Sequence, residues 1–131
     1  MIYQLKIEHL AVSSNSEEDS DNFFVKLLGL KKLRSFVVSS DLMEQFFKVK
    51  KEHKVIRYGN EEVSIEVFIT DDKSKAIDNF THMCLVIEDR ANLIDTARQM
   101  NYEVIKVPRK NSDVFYLFLK DKFGNLYEIK S

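Results

Sequence analysis

Four side chains that can bind a metal ion lie singly in four strand-like segments of the sequence. Two are histidines and two are glutamates, and in chain order they are His9, Glu66, His82 and Glu128. Imidazole nitrogens and carboxylate oxygens are common ligands of divalent transition metals. A positioned carboxylate can also take up a proton from a reacting group. These residue types could form a metal site if the fold brings them together, although the bland interpretation of each residue taken singly is structural.

The alternation of residues along the last strand of each half indicates which way the glutamates point. Successive residues of a strand face opposite sides of its sheet. Glu66 alternates with Ile65 and Val67, and Glu128 alternates with Tyr127. The apolar neighbours are expected to face the core, so both carboxylates are expected on the opposite face.

The two strand histidines follow the same rule. His9 shares a predicted face with Ile7 and Ala11, and His82 shares one with Cys84. A single strand histidine is usually a hydrogen-bonded structural residue, and a single strand glutamate usually faces solvent because burying an unpaired carboxylate is costly. No closely spaced ligand motif supports a shared site. The pattern alone therefore leaves both interpretations open.

The elements that position these residues occur twice in the same order. Each copy, about 1–69 and 80–131, reads as strand, helix and three strands, which predicts a single α+β domain of two βαβββ modules. Helices are expected on the outer face of a curved mixed sheet, with a concave face left free for a ligand. The stretch 41–52 fits either a short helix or an irregular strand. The predicted strands are Ile2–Val12, Leu33–Val38, Val55–Tyr58, Val63–Ile69, Phe80–Ile87, Glu103–Val107, Asp113–Leu119 and Leu126–Lys130.

Composition excludes several classes of function. The 131 residues include 20 basic and 21 acidic side chains, well mixed, so the basic surface of a nucleic-acid-binding protein is not expected. The longest apolar run, residues 114–119, is too short to cross a membrane. The single cysteine excludes an internal disulfide and suits a reducing compartment. We expect a cytoplasmic protein without a membrane or nucleic-acid partner.

Five segments in a fixed order resemble the vicinal oxygen chelate superfamily, which includes glyoxalase I, methylmalonyl-CoA epimerase, ring-cleaving dioxygenases and fosfomycin-resistance proteins. The segments are IEHLAV, LGLKKLR, VSIEVFI, FTHMCLVIED and DKFGNLYEI. The resemblance covers almost the whole chain. It implies that the two modules form a funnel with a divalent metal ion at its base, held by His9, Glu66, His82 and Glu128.

The resemblance to the glyoxalase I-like branch also implies a reaction and an assembly. It implies a lyase or isomerase that moves a proton next to the carbonyl of a small substrate, with Glu128 as the base and Glu66 as ligand or second base. The metal is implied to be Ni²⁺, Zn²⁺, Co²⁺, Mn²⁺ or Fe²⁺, and a homodimer is implied. Many glutathione-using members carry arginine four residues after the first histidine, where this chain has Ser13, so the substrate class stays broad.

Two other functions remain open on the same residues. An Fe²⁺ dioxygenase would use His9, His82 and Glu128 as ligands, although Glu66 would then fill a position that oxygen chemistry needs open. A metal-free protein that sequesters an antibiotic-like molecule would use the funnel alone.

Five other residues are predicted to have structural and not functional roles. Arg57 is predicted to be a surface charge, His53 to be solvated and Cys84 to be a small buried residue. Phe46 and Phe47 are predicted to pack in the core, with a lid over the funnel as the alternative.

Overall fold

A computed structural model describes residues 4–110 and 114–131 and divides the chain into two compact units, Met1–Asp72 and Lys73–Ser131. Each unit contains a four-stranded mixed sheet, so the α+β class is confirmed. The elements are β1 (Leu10–Ser14), α1 (Glu17–Asp21), β2 (Lys31–Val38), α2 (Ser40–Phe47), β3 (His53–Gly59), β4 (Ser64–Ile69), β5 (His82–Val86), α3 (Arg90–Gln99), β6 (Glu103–Pro108), β7 (Phe115–Lys120) and β8 (Leu126–Lys130).

The strand order places the first and last strands of each unit side by side. The first sheet has the order β1-β4-β3-β2 and the second has the order β5-β8-β7-β6. In each sheet the first strand runs parallel to the last, and the other neighbours are antiparallel. Residues that are far apart in sequence therefore become neighbours on one sheet face.

The helical segment of the first unit packs on the face of the sheet that carries Tyr58. Ser16 caps α1 by accepting a hydrogen bond from the backbone N–H of Asp19 at 3.0 Å. After α1 the chain continues as a π-helical segment, Asn22–Leu27, whose Phe24 stacks on Tyr58 with ring centroids 5.2 Å apart. Gly29, with a φ of +74°, ends the segment in the left-handed conformation that glycine tolerates best.

The stretch that fitted either a helix or a strand forms α2. Ser39 caps this helix by accepting a hydrogen bond from the N–H of Leu42, and Lys48 ends it with a φ of 62°. The ring of Phe47 meets the ring of Phe68 edge to face, with centroids 5.3 Å apart. Phe68 and Tyr58 lie on opposite faces of the sheet, so α2 covers the face that the π-helical segment leaves open.

The second unit anchors its last strand through a partly buried carboxylate. Oδ1 of Asp121 accepts the backbone N–H groups of Phe123, Gly124 and Asn125, each at 3.0 Å. Oδ2 accepts the hydroxyl of Tyr127 at 2.9 Å, and Tyr127 is fully buried in β8. Charge-assisted hydrogen bonds of this kind are about twice as strong as neutral ones, so the strand that carries Glu128 starts from a fixed turn.

The described bounds of the first strand differ from the prediction. β1 begins at Leu10, and the preceding Leu5 and Ile7 are 86% and 72% exposed. The reason is that β4 begins at Ser64, one residue before Ile65, which pairs with Leu10. Residues before His9 therefore have no partner strand in this unit. Two predicted strand ends, Ile2 and Asp113, lie outside the described residues.

Within the described part of the chain, no helix is long and apolar enough to cross a membrane.

Candidate metal centre

The first unit brings His9 and Glu66 together. The parallel pairing of β1 with β4 sets Ala11 opposite Glu66, and His9 lies two residues before Ala11. As a result His9 Nε2 lies 3.3 Å from Glu66 Oε1. Ile65 and Val67 were predicted to face the core and Glu66 to face the other side of the sheet. This prediction is confirmed, because Ile65 and Val67 are fully buried while the Glu66 side chain keeps 13% of its surface exposed.

The second unit repeats this arrangement with His82 and Glu128. The pairing of β5 with β8 sets Cys84 opposite Glu128, and His82 lies two residues before Cys84. His82 Nε2 lies 3.4 Å from Glu128 Oε1. The two pairs therefore have the same register and nearly the same separation.

Both histidines donate a hydrogen bond through Nδ1. His82 Nδ1 lies 2.7 Å from the carbonyl oxygen of Phe80, which can only accept. His9 Nδ1 lies 2.5 Å from a carboxylate oxygen of Glu8, which can only accept, and 3.0 Å from Nη2 of Arg57, which can only donate; we assign the proton to Nδ1 from the shorter of these two contacts. In the neutral ring, each Nε2 then points a lone pair at its glutamate. Fixing Nδ1–H in this way is how proteins present Nε2 to a metal ion.

The donor atoms fit a divalent transition metal. Two ligands that lie about 2.1 Å from one ion, at tetrahedral or octahedral angles, are about 3.0–3.4 Å apart. The Nε2–Oε1 separations of 3.3 and 3.4 Å lie within that range. Two acceptor atoms facing one another are stable only when a proton or a cation lies between them, because their lone pairs repel.

Each pair supplies only two ligands. Among residues 4–110 and 114–131, the His, Cys, Asp and Glu side chains form no group of three or more that could hold a metal ion.

Arg57 lies against the first pair, so its interpretation as a surface charge is wrong. Its Nη2 lies 3.1 Å from Glu66 Oε2 and 2.6 Å from Glu8 Oε1, and its side chain is only 16% exposed. Hydrogen bonds from Arg57 and His9 lower the pKa of the Glu8 carboxyl to about 2. The β3–β4 register pairs Arg57 with Glu66, and counting outward from the turn at 60–63 would have revealed this.

The corresponding position in the second unit is aromatic. The β7–β8 register pairs Phe118 with Glu128, and the Phe118 ring meets the His82 ring edge to face at 5.7 Å. The Nζ atom of Lys130 lies 4.0 Å from Oε2 of Glu128. Glu66 therefore has one oxygen held by arginine, whereas Glu128 has a more apolar neighbour.

Cys84 is exposed rather than buried, which corrects its sequence-based interpretation. Strand alternation correctly predicted that Cys84 shares a face with His82. The described residues of the second unit do not cover that face, so the thiol is exposed.

The hydrogen bonds at Nδ1 give a prediction for the metal-free protein at alkaline pH. Both His9 and His82 should carry their proton on Nδ1 in the neutral ring, as measured by ¹⁵N chemical shifts of the imidazole. Glu8→Ala removes the acceptor for His9, so its proton should move to Nε2, where Glu66 accepts it. His82 serves as the internal control, because its acceptor is a backbone carbonyl. A wild-type His82 with its proton on Nε2 would contradict the assignment.

Comparison with known proteins identifies the family of the chain. Residues 6–129 match the model of the Glyoxalase/Bleomycin resistance protein/Dioxygenase superfamily. No curated protein sequence matches the chain significantly.

Solved structures with the same fold are distant in sequence. A glyoxalase family protein from Enterococcus faecalis is 17% identical with a TM-score of 0.69, and 96% of this chain and 97% of that one are covered. The trypanothione-dependent glyoxalase I of Leishmania major is 17% identical with a TM-score of 0.71, covering 98% and 87%. The fosfomycin resistance protein FosX of Listeria monocytogenes is 13% identical with a TM-score of 0.69, covering 98% and 93%. At these identities the likeness shows the fold, and the family match shows that the chain belongs to the Glyoxalase/Bleomycin resistance protein/Dioxygenase superfamily.

Proposed function

We propose that this chain is a cytoplasmic, metal-dependent lyase or isomerase of the glyoxalase type. It moves a proton next to the carbonyl group of a small substrate that binds through two adjacent oxygens. The observation that carries the proposal is the repeated pair, in which a histidine Nε2 faces a glutamate oxygen at 3.3 Å in one unit and 3.4 Å in the other. Membership of the superfamily supports it.

The proposed ligands of a divalent ion are His9, Glu66, His82 and Glu128. Two neutral imidazoles and two carboxylates would neutralise a dication, and the two substrate oxygens would bind the same ion. Ni²⁺, Zn²⁺, Co²⁺, Mn²⁺ and Fe²⁺ all accept such a mixed nitrogen and oxygen set. When bound, the ion supplies Lewis-acid polarisation of the substrate's oxygens.

Glu128 is the proposed general base, and Glu66 is the fixed carboxylate. Arg57 holds Oε2 of Glu66, so that side chain has little freedom to turn towards a substrate. Phe118 is paired with Glu128 across the β7–β8 ladder, and its phenyl ring has no group that could donate a hydrogen bond to the carboxylate. Glu128 can therefore take a proton from the carbon next to the carbonyl and return it to the adjacent carbon.

We also propose a homodimer. β1 and β5 are edge strands in the sheets of their own units, and Ile7 and Val86 are 72% and 75% exposed. Exposed edges with apolar side chains mark surfaces that pair with another chain or module.

Light scattering should give twice the chain mass, and a monomer at micromolar concentration would contradict the assembly.

Metal content tests the proposed ligands. Elemental analysis of the purified protein should find one transition metal ion per chain, because each chain carries the four proposed ligands once. His9→Ala should lose most of it, because removing even a residue that only hydrogen-bonds to a metal ligand costs about ten- to a hundred-fold in affinity, and removing a ligand costs more. His53→Ala is the matched control and should keep it, since His53 belongs to neither pair. Absence of metal from the wild-type protein would favour a sequestering protein instead.

The two glutamates should respond differently to replacement by glutamine. Glu128→Gln should lower turnover by about 10²–10⁴-fold, the usual contribution of a general base, while keeping a measurable share of the metal. Glu66→Gln should lower metal content more and leave turnover per bound metal closer to wild type. Exchange of the substrate's carbon-bound proton with deuterium, followed by NMR, measures the step directly. If the Glu128→Gln variant exchanged the substrate's proton at the wild-type rate, Glu128 would not be the general base.

A further inference from the structure

A cavity of about 360 Å³ lies between α2 and the face of the first sheet that carries Glu66. Met43, Phe47 and Val49 line it from α2 and the residues that follow, and Ser13, Phe68 and Thr70 line it from the sheet. We call it the α2 cavity. Its volume lies at the small end of the range for ligand-binding pockets.

The α2 cavity begins beside the first histidine–glutamate pair. Ala11, which is paired with Glu66 across the β1–β4 ladder, also lines the cavity. Phe68 follows Glu66 by two residues on the same face of β4, which corresponds to about 7 Å along the strand. A molecule with its oxygens at Glu66 could therefore extend an arm of that length into the cavity.

The walls of the cavity are mostly apolar. None of the described residues that line it is Lys, Arg, Asp or Glu. The ring of Phe47 is 52% exposed although it stands against Phe68, so it offers an open aromatic surface. Carboxylates or ammonium groups entering this space would lose hydration without finding a partner of opposite charge.

Three of the lining residues, Ser13, His53 and Thr70, carry polar side-chain atoms. His53, which had been expected to be solvated, lines the cavity and donates Nδ1–H to the carbonyl of Lys51 at 2.8 Å. The neutral ring therefore presents Nε2 as an acceptor. The hydroxyl of Thr70 is already engaged with Ser14 and Asn15.

We propose that the α2 cavity binds the uncharged arm of the substrate, an aryl or branched alkyl group, while the reacting oxygens lie at the first pair. The inference rests on the proposed function only for the position of those oxygens. It narrows the substrate to small 2-oxo or hydroxy compounds with an apolar substituent. The charged groups of a glutathione-type conjugate do not fit these walls.

Binding of an arm without a chelating head tests the cavity separately from the metal. The probe is benzyl alcohol, added to protein labelled with ¹³C at the methionine methyl groups and dialysed against a chelator. The Met43 methyl resonance should shift with saturation. Met83 and Met100, in the second unit, are internal controls and should not move. A protein that contains no metal as purified, before the dialysis, but shows the Met43 shift would overturn the proposed function and leave the cavity assignment standing.

A pair of neighbouring phenylalanines provides the matched variants. Phe47→Ala should weaken benzyl alcohol binding about tenfold, the equivalent of about 1.4 kcal/mol, and Phe47→Leu should weaken it less. Phe46→Ala should bind like wild type, because Phe46 lies on the same helix and does not line the cavity. An unmoved Met43 resonance in the wild type, or equal weakening by Phe46→Ala and Phe47→Ala, would overturn the inference.

Discussion

The parallel pairing of the first and last strands in each unit is the constraint on which the site depends. A parallel pair cannot be joined by a tight turn, so the chain must travel through a helix and two further strands before it returns. That path places a residue from the beginning of a module beside one from its end. His9 meets Glu66 and His82 meets Glu128 only because β1–β4 and β5–β8 share one register.

The two modules have the same backbone plan but different surroundings at the carboxylate. Arg57 neutralises Glu66 and is itself shared with Glu8, whereas Phe118 occupies the matching position beside Glu128. A guanidinium holds a carboxylate in one geometry through directed hydrogen bonds, and a phenyl ring does not. The proposed division of labour between a fixed ligand and a mobile base follows from this single difference between β3 and β7.

Much of the fold was predictable because strand alternation and module repetition are local signals. The alternation in SIEVFI and LYEIK identified the buried Ile65, Tyr127 and their neighbours, and the order of elements gave the α+β class. The contact of Arg57 with Glu66 was not predicted, although the register of the hairpin around 60–63 contains it. The role of α2 was not predicted because it depends on which segments meet across the sheet. The 41–52 stretch became a helix that packs Phe47 on Phe68, and its own sequence did not distinguish that outcome from an irregular strand.

X-ray absorption spectroscopy of the metal-bound protein tests the central claim most directly, since it reports the atoms around the ion whatever the arrangement of modules. The account predicts a first shell of nitrogen and oxygen only, with the outer-shell scattering of two imidazoles, which His9 and His82 provide. A sulfur ligand from the exposed Cys84, or a shell without imidazole scattering, would contradict it.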